Sequence, residues 1–343
     1  MDTNLDIQID DALNAYRASG VEEQVDYQKF YLYSIVTHST AIEGSTVTEI
    51  ENQLLFDEGI AAKGRSLTEQ MMNVDLKDAY LYAFRIASEN PKYTPQLLQQ
   101  LSALVMRRTG SEYFTIAGHF DSSKGEFRLC NVSAGIGGRS YLAYNKVPRA
   151  VDDFCRWLNE EITKADRTNI AACYRLSFEA HFRLVTIHPW VDGNGRTTRL
   201  VMNMIQRQLR LVPSIVRKED KGEYIQSLVD SRENDDSTIA QDVMLHHHIA
   251  NLNRRVLQYQ ENDTVNTQYD TVRANNDTVT ELKKSLQKVY KAILNNPEIT
   301  HSEIMETLHI SESTAKRATR DLKKLGYIAR AGSDKTGRWV ILK

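Results

Sequence analysis

The sequence predicts a mainly α-helical fold with a β-hairpin insertion and a separate C-terminal winged helix-turn-helix domain. Residues 1–110 and 146–256 show helical periodicity with few glycines and prolines. Between them, residues 111–145 mix aromatic, β-branched and glycine residues, a composition typical of hairpins. Residues 281–343 have an apolar periodicity of their own. A chain of 343 residues is long enough for two or three domains.

One helix of the second helical stretch is defined by an apolar stripe and by the residue that ends it. The stripe recurs every three or four residues, which is the period of one helix face. Because proline pushes the residue before it out of the α region, Pro189 is expected to end this helix at His188. The stripe consists of Ile170, Tyr174, Phe178, Phe182 and Val185.

We divide the chain into four segments. Residues 1–94 form an N-terminal helical region and residues 95–256 a central domain. Residues 257–280, rich in Asn, Asp, Thr and Gln, are interpreted as a linker, although they contain no proline or glycine. Residues 281–343 carry 13 Lys and Arg against 7 Asp and Glu, a net charge of +6, so the rest of the chain carries −8. This asymmetry indicates different partners for the two parts.

The last segment reads as a winged helix-turn-helix. Two helices meet at the turn Ile310–Ser311, where Ser311 can cap the second, and two short strands follow with residues 333–337 as the wing tip. A domain of this fold can bind either DNA or a protein, and the sequence does not decide between the two. On the second helix, Ala315, Ala318, Leu322 and Leu325 are predicted to face inward, whereas Lys316, Arg317, Arg320, Lys323 and Lys324 face elsewhere and suit phosphate contacts.

Composition favours a cytoplasmic protein that does not enter a membrane. The net charge is −2, and hydrophobic content is 41%. No run approaches 18 apolar residues, and the N-terminus is acidic rather than basic and apolar. Three separated cysteines do not suggest a disulfide framework. The adjacent residues His246, His247 and His248 point in different directions on a helix, so we predict no metal site there.

The chemistry is concentrated in residues 188–199, "HPWVDGNGRTTR". The glycines around Asn194 allow positive φ and close ligand approach, and the helix start that follows presents unpaired N–H groups to an anion. Arg196 and Arg199 share one face of that helix start, where positive charge opposes the helix dipole unless an anion binds. Asp192 suits a Mg²⁺ ion that bridges phosphates. His188 can take a proton from a hydroxyl.

This stretch resembles the active-site motif of the Fic family, HPFx(D/E)GNGRxxR. Trp190 stands where phenylalanine is usual, and an aromatic replacement should still anchor the loop. The resemblance extends over roughly 95–256 and implies a Fic-type helical bundle with a hairpin flap over the site. Members of the family mostly transfer AMP from ATP to a hydroxyl of a target protein, so ATP as substrate and Mg²⁺ are implied here.

The resemblance also implies a role for each motif residue. His188 would be the general base for a Ser, Thr or Tyr hydroxyl, and Asp192 would hold Mg²⁺. The anion hole would be formed by Gly193, Asn194 and Gly195, with Asn194 on the α-phosphate. Arg196 would bind the β- and γ-phosphates, and Arg199 would bind the γ-phosphate.

Other chemistries and another class of function stay open. One branch of the family phosphorylates its targets and carries lysine where this chain has Gly195, and another transfers phosphocholine. Glycine leaves room for the α-phosphate, so we favour AMP transfer. The alternative from a different class is a DNA-binding transcriptional regulator whose Fic site senses nucleotide. The target protein, the modified residue and the oligomeric state, a homodimer included, are not predictable from the sequence.

Three accessory features complete the prediction. Residues 125–145 would be the flap, whose edge can dock an extended segment of the target protein by β-augmentation. Tyr224 lies where the family often has an aromatic residue that lines the adenine pocket, although an aromatic residue in a helix is also typical of a core. Ser39 and Glu43, followed by Gly44, fit the family's inhibitory motif (S/T)xxxE(G/N). Glu43 is expected to form a bidentate pair with Arg199 and to keep ATP in a non-productive pose.

Overall fold

The computed structural model describes residues 3–134, 140–273, 284–308, 310–325, 327–331 and 338–341. Within these residues it has thirteen α-helices and two antiparallel two-stranded hairpins, which confirms the mainly α fold. The chain separates into two compact units, Met1–Gln260 and Glu261–Lys343.

The elements of the first unit are helical except for one hairpin. The hairpin pairs Glu112 with Asp121 and Thr115 with Gly118. In chain order the elements are α1 (Thr3–Ala18), α2 (Tyr27–Ile42), α3 (Glu49–Glu58), α4 (Leu67–Ala87), α5 (Pro95–Val105), β1 (Glu112–Thr115), β2 (Gly118–Asp121), α6 (Val147–Lys164), α7 (Ile170–Ile187), α8 (Asn194–Gln208), α9 (Lys221–Glu233) and α10 (Thr238–Arg273), the last of which runs past the end of the unit.

Two segment boundaries differ from those drawn on the sequence. Helix α10 continues to Arg273, so the first part of the linker drawn at 257–280 is helical. Asn, Asp, Thr and Gln disfavour a helix only weakly, and no proline or glycine interrupts the segment. The regions 1–94 and 95–256 do not separate either, because α2 and α4 pack against α8 in one shared core.

Helix α8 is the centre of the first unit. It packs between α4 and α7 and also contacts α2 and α5. Its side chains are buried on nearly every face, including the polar residues Thr197, Thr198 and Asn203. Tyr174 and Phe178 of the predicted stripe on α7 are fully buried. A helix buried all round holds its first turn, which carries the motif, in a fixed place.

The C-terminal half of α2 is fixed by a buried polar network. Thr40 Oγ1 donates to Asn73 Oδ1 at 2.7 Å, and Asn52 Nδ2 donates to the same oxygen at 2.8 Å and to Thr37 Oγ1 at 2.7 Å. Asn73 Nδ2 donates to Ser45 Oγ at 3.1 Å. These bonds join α2 to α3 and α4, so the helix that carries Ser39 is rigidly placed beside α8.

The second unit contains the predicted winged helix-turn-helix elements. Ser311 caps α13 by accepting a hydrogen bond from the Thr314 N–H, as expected. Ala315, Ala318 and Leu322 are buried, but Leu325 is 50% exposed because it follows the last helical turn. The wing tip, residues 333–337, lies outside the described residues. The elements are α11 (Lys284–Asn295), α12 (His301–Leu308), α13 (Glu312–Lys324), β3 (Ile328–Ala331) and β4 (Arg338–Ile341), with β3 antiparallel to β4.

None of the helices in the described ranges combines the length and the apolar character needed to cross a membrane. Nor do three or more His, Cys, Asp or Glu side chains of these ranges cluster as a metal site would require. Of the three adjacent histidines, His246 is exposed, His247 contacts Glu223 at 2.9 Å and His248 is buried.

Two buried histidines should make the first unit sensitive to acid. Burial lowers the pKa of both His181 and His248 to about 3. Between their folded pKa and the unfolded value near 6.5, the unfolded state binds more protons, so stability falls as pH falls. From pH 7 to pH 5 each should cost about 2 kcal/mol of unfolding free energy. Urea unfolding at the two pH values measures this loss.

A matched pair of variants isolates the effect of one histidine. Neither ring nitrogen of His248 has a hydrogen-bond partner among the described residues, and its ring lies 4.7 Å from that of Tyr174. His248→Phe should therefore keep the packing and reduce the pH-dependent loss by about 2 kcal/mol. His246→Gln should leave the loss unchanged because His246 is exposed. Equal pH dependence in both variants would contradict this account.

Candidate active site

The turn between α7 and α8 gathers the motif residues. Helix α7 ends at Ile187, next to His188, as Pro189 predicts, and His188 adopts left-handed geometry with φ 53° and ψ 62°. The His188 N–H still donates to the Leu184 carbonyl at 3.1 Å. Helix α8 then begins at Asn194, so the histidine and the arginines occupy the two ends of one short loop.

Trp190 anchors this loop. Its side chain is fully buried, and its Nε1 donates to the Gly125 carbonyl at 3.0 Å. Asn194 Oδ1 accepts the Trp190 N–H at 3.1 Å, while Asn194 Nδ2 donates to the Trp190 carbonyl at 2.8 Å. Asn194 was expected on the α-phosphate, as part of the anion hole. In this conformation its side chain is committed to the loop, which leaves its backbone N–H for an anion.

The start of α8 is built for an anion. Gly193 has φ 75°, and a Cβ at this position would lie 2.6 Å from Met106 Sδ, so both the backbone and the space favour glycine. The first N–H groups of a helix lack partners within the helix, and they carry the positive end of its dipole. Asp192 Oδ1 accepts the Gly193 N–H at 2.5 Å, and the Asp192 side chain is 60% exposed. The carboxylate is therefore accessible from outside.

His188 is arranged to accept a proton. Its Nδ1 lies 3.3 Å from the Val185 carbonyl, which can only accept, so the proton sits on Nδ1 and Nε2 keeps its lone pair. Burial lowers the pKa of His188 to about 4. The imidazole is therefore neutral at pH 7. The ring of Tyr141 stacks on it at 3.8 Å between centroids, with the planes 16° apart.

Arg128 holds the His188 segment and the flap together, and sequence reasoning missed it. The side chain is 1% exposed. Nε donates to the His188 carbonyl and Nη1 to the Cys130 carbonyl, both at 2.8 Å, and Nη2 donates to the Leu142 carbonyl. A buried arginine bound only to carbonyl groups has no sequence signature. The nearest signal is its position in the predicted flap, within "GEFRLCN" at 125–131.

Arg196 is buried with much of its hydrogen-bonding capacity unused. It is 3% exposed, and Nη2 contacts Met106 Sδ at 3.3 Å and Asp192 Oδ1 at 3.6 Å. Nε and Nη1 have no partner among the described residues. Burial lowers the pKa of the guanidinium, which Asp192 and Glu43 partly offset. Buried donors without partners are costly, and an anion would satisfy them.

Arg199 is bound by both predicted regulatory residues. Nε donates to Ser39 Oγ and Nη2 to the Ser39 carbonyl, both at 2.9 Å. Nη2 also donates to Glu43 Oε1 at 2.6 Å. The pair with Glu43 was expected to be bidentate. It is single, because Ser39 occupies the Nε side of the guanidinium. A Cβ at Gly195 would lie 2.3 Å from Glu43 Oε1, so glycine is also needed for this approach.

The ion pair between Glu43 and Arg199 fixes the charge of both groups. Burial alone would raise the pKa of Glu43, but the charge and hydrogen bond of Arg199 outweigh it and leave that pKa below its usual value. Burial likewise disfavours the charged guanidinium, yet Glu43 raises the pKa of Arg199 above its usual value. Both side chains are charged at neutral pH. Glu43 is the C-cap of α2, and its side chain is 34% exposed.

Tyr224 is buried next to Arg199. Its side chain is 1% exposed, and its hydroxyl is 3.0 Å from His181 Nε2 and 3.5 Å from Arg199 Nη1. Burial raises the pKa of Tyr224, although Arg199 works against this. The protonated hydroxyl can therefore donate to neutral His181. Its role towards adenine stays a prediction, because the ring has almost no exposed surface in this conformation.

The flap is described only in part. In the predicted flap, 125–145, residues 135–139 lie outside the described residues. An isolated antiparallel bridge pairs Ser133 with Ser140, and Tyr141 N–H donates to the Val132 carbonyl at 3.0 Å. The regular hairpin, β1–β2, precedes the flap in the chain. The two arms of the flap are thus joined near their ends and fastened at their base by Arg128.

Comparison with known protein families defines the class. Residues 92–206 match the Fic/DOC family, and residues 282–329 match the winged helix-turn-helix DNA-binding family. This chain carries a Fic domain followed by a winged helix-turn-helix domain. Both expectations drawn from the sequence are confirmed at this level.

Similar proteins point to the same family. The protein adenylyltransferase Fic of Drosophila erecta is 31% identical over 229 residues, covering 66% of this chain and 42% of that protein. The corresponding Drosophila melanogaster protein is 29% identical over 230 residues, with the same coverage. This chain thus spans about two fifths of the length of these relatives.

Solved structures share the fold at low sequence identity. A Fic domain containing signaling protein from Bacteroides thetaiotaomicron has a TM-score of 0.60 at 18% identity and covers 74% of this chain and 96% of its own. A Fic family protein from Desulfovibrio desulfuricans has a TM-score of 0.59 at 19% identity. The match covers 99% of this chain and 95% of that protein. At these identities the likeness extends to the fold alone.

Proposed function

We propose that this protein transfers AMP from ATP to a Ser, Thr or Tyr hydroxyl of a target protein, and to itself, and that Glu43 restrains the transfer. The observation that carries the proposal is the pairing of a neutral histidine with an incompletely bonded, buried arginine at the ends of one loop. His188 supplies the proton acceptor, and Arg196 supplies donors for phosphate. The adenylyltransferase names of the relatives support AMP as the transferred group.

The reaction needs one proton transfer and one displacement at phosphorus. His188 Nε2 accepts the hydroxyl proton of the target as its oxygen attacks the α-phosphorus of ATP. A new P–O bond to the target forms, and the bond from the α-phosphorus to the bridging oxygen breaks. Pyrophosphate leaves with that electron pair. The N–H groups at the start of α8 and the guanidiniums of Arg196 and Arg199 stabilise the charge on the phosphates.

Asp192 fits a Mg²⁺ ion that arrives with the nucleotide. Its carboxylate is exposed, and within the described residues it belongs to no cluster of three or more His, Cys, Asp or Glu side chains. Mg²⁺ commonly takes one or two carboxylates together with substrate phosphates and waters. A single carboxylate beside the anion-binding helix start suits that mode. Bound there, the ion would neutralise charge on the phosphates.

Ser39 and Glu43 would restrain transfer by occupying Arg199. As long as Arg199 donates to both residues, its guanidinium is not free for the γ-phosphate. The same carboxylate lies against Gly195, where the nucleotide phosphates would approach. ATP would then bind in a pose unsuited to attack on the α-phosphorus. The polar network around Asn73 keeps α2 in this place.

The flap would position the target. Ser133, Ala134 and Ser140 are exposed, so an extended segment of a target protein could pair with the backbone of the flap. Arg128 links the base of the flap to the His188 carbonyl. This linkage would keep the docked hydroxyl in register with the general base.

Labelling of a cell lysate tests this proposal. Incubation with ATP labelled in the α-phosphate and Mg²⁺ should attach label covalently to a target protein and to the enzyme. Mass spectrometry should locate the adduct on a hydroxyl side chain. A parallel reaction with the His188→Asn variant controls for other enzymes in the lysate. The proposal fails if the wild-type protein adds no label beyond that control.

DNA binding by the second unit is a further candidate function. It is favoured by the match of residues 282–329 and by the exposed cations of α13, including Arg317, Arg320, Lys323 and Lys324. The double variant Arg317→Gln/Arg320→Gln of the full chain should bind duplex DNA more weakly. Loss of two phosphate contacts should lower the salt dependence of log K by about 2.

A matched variant on α6 controls for the loss of charge. Arg149 and Arg156 are also exposed arginines, and Arg149→Gln/Arg156→Gln removes the same charge from the first unit. Fluorescence anisotropy across a salt series should show unchanged DNA binding in this control. Equal affinities for both double variants would favour a protein partner for the second unit.

A further inference from the structure

A cavity in the first unit is lined by arginines and lies away from the motif. Its volume is about 460 Å³, within the range of roughly 300–1,000 Å³ typical of small-molecule sites. Its walls come from α1, α2, α4 and α8 and from the turn between α6 and α7. The charged residues of the lining are Arg17, Glu22, Arg167, Arg207 and Arg210.

The four arginines are not explained by ion pairing. Other arginines of this unit, such as Arg156, Arg175 and Arg183, have carboxylate oxygens within 3.2 Å. In the described part of the chain, no carboxylate oxygen lies within 4 Å of a guanidinium nitrogen of the four arginines that line the cavity. Among the described residues that line the cavity, Glu22 is the only acidic one. The cavity therefore holds a net charge of +3 in a part of the chain whose net charge is −8.

The convergence of these side chains differs from an ordinary solvated helix face. Arg17 comes from α1, Arg167 from the turn before α7, and Arg207 from the end of α8. Arg210 follows α8 with φ 61°, a conformation that few residues other than glycine adopt. Like charges from separate segments repel each other across a shared cavity. A bound anion would remove that repulsion.

The rest of the lining indicates what kind of anion fits. Tyr16, Tyr27 and Tyr31 contribute largely buried rings. Their hydroxyls are already bonded, Tyr16 to Tyr27 at 2.6 Å and Tyr31 to the Pro213 carbonyl at 2.6 Å. The rings thus form an apolar wall, and the arginines are left to bind charge. Each phosphate carries roughly −1.5 to −2 at neutral pH, so two phosphates match a charge of +3.

We propose that this cavity binds a small molecule with a diphosphate group. Arginine is suited to phosphate because its planar guanidinium can donate two parallel hydrogen bonds. The side-chain carbonyl of Gln208, which also lines the cavity, has no partner in the described structure and can accept from a ligand hydroxyl or amine. The diphosphate can belong to free pyrophosphate or to a nucleoside diphosphate.

The cavity is distinct from the candidate active site. Tyr31 in its wall and Glu43 are twelve residues apart along α2 and beyond, which corresponds to about 18 Å of helix. Arg207 and Arg196 are eleven residues apart on α8, or about 16 Å. The proposal therefore stands independently of AMP transfer.

Calorimetric titration of the full chain with pyrophosphate, and separately with ADP, tests the proposal. A chelator keeps divalent cations away, so that binding aided by Mg²⁺ at Asp192 is suppressed. The double variant Arg17→Gln/Arg167→Gln changes only exposed side chains and should retain the fold. It should weaken binding at least about tenfold, since charge-assisted hydrogen bonds are among the stronger ones. Glu22→Gln should tighten binding, because it removes the one negative charge of the lining.

Two control variants separate the cavity from other anion sites. Arg149→Gln/Arg156→Gln removes two exposed charges elsewhere and should leave binding unchanged. Arg196→Gln removes a phosphate donor of the candidate active site, so it should weaken anion binding there and leave unchanged the binding that Arg17→Gln/Arg167→Gln removes. The proposal is overturned if neither ligand binds, or if Arg196→Gln abolishes binding while Arg17→Gln/Arg167→Gln does not. If the cavity variants change binding as expected, the ligand that binds more tightly, pyrophosphate or ADP, identifies the source of the diphosphate.

Discussion

Replacement of His188 by alanine is expected to abolish AMP transfer while ATP binding stays nearly intact. The imidazole is neutral at pH 7 because burial lowers its pKa to about 4, and its Nε2 is the free acceptor. A general base contributes about 10²–10⁴-fold to the rate, so transfer should fall by that factor. Labelling rates and nucleotide affinity, measured on the same preparations, separate the chemical step from binding.

Two variants make the loss at His188 specific. Because His188 has φ 53°, alanine at this position carries some backbone strain, whereas asparagine tolerates the left-handed region and cannot act as the base. His188→Asn should therefore be as inactive as His188→Ala in a well-folded protein. His119→Ala removes an exposed histidine of β2 and should leave transfer unchanged. Wild-type labelling by His188→Asn would refute the assigned role.

Replacement of Glu43 by glycine is expected to increase transfer. It removes the carboxylate that holds Arg199 at 2.6 Å and frees the space beside Gly195. A hydrogen bond between charged groups contributes about 1.5–3 kcal/mol, which corresponds to a gain of roughly tenfold to a hundredfold. Target labelling and self-labelling at saturating ATP and Mg²⁺ should both rise.

The chain offers matched controls for Glu43→Gly. Glu58, like Glu43, ends a helix and is followed by glycine, so Glu58→Gly should leave transfer unchanged. Ser39→Ala removes one acceptor of Arg199 but leaves the Ser39 carbonyl and Glu43, so it should activate less. Combining Glu43→Gly with Arg199→Ala should lower transfer again. Equal labelling by the wild type and Glu43→Gly would refute the restraint and leave the role of His188 untouched.

The parts of the site that the sequence predicts are those encoded locally. Residues 188–199 are contiguous, and Pro189 and the glycines specify the backbone around them, so the end of α7 and the start of α8 fall where expected. The contact between Glu43 and Arg199 joins residues 156 positions apart. It was predictable only because a known motif linked the two. The single rather than bidentate geometry depends on Ser39, which the spacing alone does not reveal.

The parts that escaped prediction depend on tertiary packing. Arg128 acquires its role by lying between carbonyl groups of three separate segments, and Tyr141 by stacking on His188. Asn194 turns its side chain towards Trp190 instead of outwards. None of these arrangements leaves a periodic or local signal. The continuation of α10 to Arg273 is hard to predict for another reason, because the polar composition of the segment suggests a linker although no helix breaker interrupts it.

The most direct test of the central claim follows two phosphates of ATP at once. The Glu43→Gly variant is incubated with ATP labelled in the α-phosphate and, in parallel, with ATP labelled in the γ-phosphate. If AMP is transferred and Glu43 restrains the transfer, covalent label should come from the α-phosphate alone and exceed that of the wild type. Covalent label from the γ-phosphate, or none from either, would contradict the account.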